Sequence, residues 1–116
     1  MAHIKALCAW KYNETIVTSP AAEFAPLFEV VGKSQRDALY KRPNNAIHLS
    51  MPQSHPEAAA KLASWKKDGV IQQDEAPAIF AYYQQFTLFG AAKPFVRKGI
   101  ICLIRLDEDA IILHEG

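Results

Sequence analysis

Three places in this sequence bring together side chains able to do chemistry. His114-Glu115 sets an imidazole next to a carboxylate at the end of an apolar run, where both can border a catalytic cleft. Successive side chains on a strand face opposite ways, so the two act as one site only if the strand stops there. A solvated terminus is the plain alternative. Arg97-Lys98-Gly99 is a basic spot in which the glycine lets backbone approach an anion and Arg97 can bind it; a hairpin shoulder with exposed charges explains the same residues. His48 sits between Ile47 and Leu49 on an expected central strand. There it is either a ligand-binding imidazole or a hydrogen-bonded core histidine.

Other chemistries are absent or thin. His3 and His55 read as surface residues, and Asp107-Glu108-Asp109 reads as a polar turn before it reads as a cation site, so no metal is expected. The chain has no glycine-rich phosphate loop, no Gly-x-Ser-x-Gly elbow and no His-Glu-x-x-His zinc helix. Phe80, Tyr82, Tyr83 and Phe86 look superficially like a stacking platform for bases, but cross-strand and core pairing accounts for them better.

The elements that must position these residues follow from period and punctuation. Ile4 to Trp10 reads as a strand, Thr15 to Pro26 as a connection with one helical turn, and Leu27 to Val31 as an extended segment ended by Gly32. Ser34-Gln35-Arg36-Asp37 carries a helix-start signature, and that helix must stop before Pro43. Asn44-Asn45 is a turn into a short strand, Ala46 to Leu49. The strongest signal is the next helix. Ser54 and Glu57 form a capping box, Pro56 lies in the first turn, Ala58, Leu62 and Trp65 share a face, and Lys66, Lys67 and Gly69 close the end. Ala78 to Phe89 and Phe95 to Leu106 are aromatic and β-branched runs joined by Gly90 to Pro94, and Ala110 to Leu113 is a third. The sum is an α+β fold: an antiparallel or mixed sheet of about five strands with two helices packed on one face. The 116 residues form a single domain. Because the chain stops three residues after an expected core strand, it reads as the N-terminal fragment of a longer protein.

Composition narrows the function classes. Half the residues are apolar and 22% are charged, as in globular proteins, and the longest aliphatic run, Ile100 to Ile104, is too short to span a bilayer. Thirteen basic residues against twelve acidic ones leave a net charge of +1, a poor footprint for direct nucleic-acid binding. Met1-Ala2-His3-Ile4-Lys5 lacks the apolar core of a secretory signal, and Cys8 and Cys102 stand apart from any metal-finger spacing, so a reducing cytoplasm is the expected location.

Six segments in fixed order carry a resemblance. They are Leu27-Phe28-Glu29-Val30, Asn45-Ala46-Ile47-His48-Leu49, Trp65 to Ile71, Ala78 to Gln84, Arg97-Lys98-Gly99-Ile100-Ile101 and His114-Glu115. From about residue 24 onward the chain resembles the N-terminal region of a widespread prokaryotic family, domain-of-unknown-function family one-thousand-fifteen. Some of its members are labelled regulators of the sporulation ParB homologue. The family's members are several times longer and resemble the ParB/sulfiredoxin-type fold, which includes nucleotide-dependent enzymes such as free-serine kinases. Their Asp-Gly-His-His-Arg phosphate cradle lies downstream of the His-Glu segment, beyond the last residue here. Phe28 and Glu29 stand where the family usually has Tyr and Asp, and Gly116 stands where a threonine normally follows closely.

The resemblance implies the N-terminal part of a nucleotide-dependent, phosphotransferase-like protein that uses ATP or ADP only when whole. Glu29, His114 and Glu115 are then the candidate catalytic residues, and Arg97 and His48 the candidate ligand-binding ones. Its partners are the downstream half of the same polypeptide or a second copy of the chain. A regulatory binding module of ParB type, or a purely structural domain, is the alternative.

Overall fold

The computed structural model describes residues 2–108 and 111–112. The described chain forms two compact units, Met1–Ala9 with Asp74–Gly116, and Trp10–Gln73. It is an α+β protein, and its strands pair two by two instead of joining in one sheet.

The Trp10–Gln73 unit is built around one cluster. Strand β2 (Trp10–Tyr12) runs antiparallel to β3 (Ile71–Gln73), with Tyr12 opposite Ile71. Helices α1 (Lys33–Tyr40), α2 (Ile47–Ser50) and α3 (His55–Asp68) belong to the same unit, together with a 3-10 turn over Pro20–Glu23. Val17, Trp65, Val70 and Ile71 form the buried cluster, and Tyr12, Leu49 and Leu62 pack on it. Trp65 and Leu62 lie on the face of α3 that the spacing singled out.

The ends of α3 are as expected. The Ser54 side chain accepts the Glu57 amide at 3.3 Å, and Gly69 closes the helix in the left-handed region at φ 75°. Asn13 then ties the return: its amide nitrogen donates to Gly69 O at 3.0 Å, and its backbone N–H donates to Val70 O at 2.8 Å.

Helix α1 starts one residue before the hydroxyl signal. Gly32 is the cap residue and no side chain caps the helix; Lys33 is already helical and bonds Asp37 at 2.9 Å one turn on. The segment Ala46 to Leu49, expected as a strand, is a helical turn instead. Asn45 is fully buried, and its side-chain oxygen accepts the Ile47 amide at 3.0 Å, which starts a turn that the His48, Leu49 and Ser50 amides continue. His48 therefore stands on α2, not on a central strand. Leu27 to Val31, expected as extended, folds back on itself through a Val30 N–H bond to Leu27 O at 3.1 Å.

In the other unit, β1 (Ile4–Lys5) pairs antiparallel with β6 (Leu103–Ile104), and the Leu7 and Ala78 backbones bond reciprocally at 3.0 Å. Strands β4 (Phe80–Phe86) and β5 (Phe95–Ile101) form a seven-pair ribbon from Phe80 opposite Ile101 to Phe86 opposite Phe95. The second apolar run thus splits: β5 stays in the ribbon and β6 turns to β1. Of the third run, Ala110 and Leu113 lie outside the described residues, and Ile111 and Ile112 are exposed and in no strand.

Candidate functional site

The helical unit holds a cleft of about 460 Å³ bounded by Tyr40, His48, Pro52, Gln53, Glu57, Ala60, Lys61 and Ser64. Each wall has a local cause. Tyr40 ends α1, and its hydroxyl donates to Met51 O at 2.5 Å, which fixes the chain where it leaves α2. The His48 ring sits 5.9 Å from the Tyr40 ring, and its Nε2 meets Arg42 O at 2.8 Å. A carbonyl only accepts, so Nε2 is the donor in this contact. Arg42 is held in turn by a forked contact with Glu23, whose charge raises the guanidinium pKa through that hydrogen bond first and its field second. The Glu23 carbonyl accepts the Ala46 amide at 2.8 Å, so the turn carrying His48 is anchored at both ends.

The opposite wall is one stripe of α3. Glu57, Ala60, Lys61 and Ser64 recur at helical spacing, away from the Leu62 and Trp65 face. Glu57 and Lys61 are one turn apart, yet no ion pair within 4.0 Å joins either to any described residue. Ser64 instead donates to Asp68 at 3.2 Å. One anion and one cation, neither in an ion pair among the described residues, therefore border the same concave surface, beside an imidazole and a phenol.

His48 lines the cleft. Glu29 lies in the exposed turn after Leu27, and Arg97 lies exposed on β5 opposite Gln84. Neither is held in an ion pair among the described residues. His114 and Glu115 lie outside the described residues. No three His, Cys, Asp or Glu side chains gather as a metal site among the described residues, and Cys8 and Cys102 are partly buried thiols. No described helix is long and apolar enough to cross a membrane. Tyr40, Gln53, Glu57, Lys61 and Ser64 were not among the expected site residues. The signal for three of them was present in the polar i, i+4, i+7 stripe of α3.

Residues 4–116 match the family described as Protein of unknown function (DUF1015). No curated protein and no solved structure matches the chain. With nearly its whole length matched, the chain belongs to that family.

Proposed function

We propose that this family member is the small-molecule-binding, N-terminal part of a nucleotide-dependent, phosphotransferase-like protein. In this reading its helical cleft receives the small polar acceptor and not the nucleotide. The observation that carries this is the pair Glu57 and Lys61, one turn apart on a concave wall faced by His48 and Tyr40 and in no ion pair among the described residues. Charges of both signs at that spacing suit a small zwitterion, with Lys61 meeting a carboxylate and Glu57 an ammonium group. The cleft's volume falls in the range of roughly 300–1,000 Å³ usual for small-molecule sites. A nucleotide would need a phosphate cradle, and the 116 residues contain no glycine-rich loop to make one.

Glu29 is proposed as a general base and Arg97 as an anion contact; both are exposed, and neither is in an ion pair among the described residues. His114 and Glu115 are proposed to border the active cleft of the whole protein.

Calorimetry with ATP, ADP and serine, on this chain and on the full reading frame, tests the division of labour. Serine should bind the chain and lose at least tenfold in affinity in Lys61→Ala. ATP or ADP should bind only the longer protein. Tight nucleotide binding by the chain itself refutes the division, and absence of nucleotide binding by the whole protein removes the enzyme reading. Steeply salt-dependent binding of duplex DNA would favour the ParB-type regulator instead.

A further inference from the structure

The β4–β5 ribbon has an imbalance between its two outer edges. Among the described residues, β4 pairs only with β5, and the ribbon is exposed on both faces from Ala81 to Phe86 and along all of β5. Tyr83, at the centre of β4, is 67% exposed. Two strands alone are marginal in water; a stable sheet needs a third strand or more and a covered face. Edge strands of soluble proteins are ordinarily protected by charge, proline or short length. Strand β5 carries Arg97 and Lys98. Strand β4, Phe-Ala-Tyr-Tyr-Gln-Gln-Phe, has no charge and no proline over seven residues.

We propose that the outer edge of β4 is a self-pairing edge, where a second copy of this chain adds its own β4 antiparallel about Tyr83. That register sets Tyr83 against Tyr83, Ala81 against Gln85 and Tyr82 against Gln84. Its residue offsets are even, so each side chain stays on the face of its counterpart. No charge opposes another. The equivalent pairing through β5 would centre on Lys98 and place two ammonium groups opposite each other, which is destabilising. The result is a four-stranded sheet in the order β5, β4, β4, β5. On one face of each ribbon the Phe86 and Phe95 rings stack 6.0 Å apart. This goes beyond the cleft and does not depend on it.

Sedimentation of the full chain from micromolar to millimolar concentration should give twice the chain mass at the upper end. Tyr83→Lys should return the monomer mass with an unchanged far-ultraviolet circular dichroism spectrum. Lys98→Glu, at the other edge, should leave the dimer intact. Because Tyr83→Lys can act by unfolding the ribbon, a second measurement fixes the register: Ala81→Cys and Gln85→Cys, mixed as two single variants and oxidised, should cross-link 81 to 85 in a heterodimer. A monomer at every concentration overturns the proposal, and so does cross-linking through β5 positions only. Loss of the dimer in a longer polypeptide, with β4 protected by a strand of the same chain, overturns it as well.

Discussion

Tyr12 concentrates the energetics of the helical unit in one side chain. Its ring packs against Trp65 at 5.8 Å between centroids, and its hydroxyl donates to Asn44 O at 2.7 Å, across 32 residues. Burial raises the phenol pKa above its ordinary 10.0, and the negative charge of Glu23 adds to the rise. The folded state therefore favours the protonated form. The stability tied to it is complete below pH 10 and is lost as pH climbs through the raised value. Tyr12→Phe should lower stability at neutral pH by about 1 kcal/mol, through the lost hydrogen bond. It should also flatten the decline above pH 10. Denaturant titrations of both proteins between pH 8 and 11 check this, and equal slopes would remove the argument. Asp37 shows the opposite sign. Its hydrogen bond from Lys33 holds its pKa below the usual value, so its contribution is present above the ordinary carboxylate range and fades as pH falls. Both partners are largely exposed, and solvent screening keeps that effect small.

At the scale of the element, α3 is a helix whose ends are stated in its own residues. Ser54→Ala should cost about 1 kcal/mol by orphaning the Glu57 amide. Gly69→Ala should cost about 1–2 kcal/mol, because φ is 75° there and a side chain resists that region. The added methyl would meet Ile16 Cδ1 at 3.8 Å, an ordinary contact, so the cost is conformational. The sites lie at opposite ends, and thermal melts of the double variant should show the two losses adding. This helix was legible because caps, proline, dipole charges and a 3.6-residue stripe agree over fourteen residues. Helix α2 was not legible. Four residues, two of them apolar, have no readable period, and what decides them is Asn45, whose buried oxygen captures the Ile47 amide. The ribbon was legible from its aromatic runs and the Gly90 turn, whereas the departure of β6 toward β1 depends on long-range pairing that no local signal carries. The site divided in the same way. His48 stood out by residue type, while Glu57 and Lys61 gain meaning only when α1 and α2 are brought opposite them.

At the scale of the molecule, apolar burial is unevenly shared. Every described buried residue, from Val17 to Ile71, belongs to the Trp10–Gln73 unit, and the other unit keeps Tyr83, Phe95, Ile100 and Leu103 exposed. Local stability follows burial, so native-state hydrogen exchange should separate the two. Amides bonded across the helical unit, that of Asn13 to Val70 O among them, should exchange only through its global opening. Amides of the β4–β5 ribbon should exchange much faster in dilute solution, where a two-stranded ribbon has little to hold it. If a second copy adds to β4, raising the protein concentration should slow exchange in residues 80–86 first, including amides that point away from β5, while outward amides of 95–101 stay fast. Exchange as slow in the ribbon as in α3 at every concentration would mean that the ribbon holds itself together, and the reason for seeking a partner at its edge would disappear.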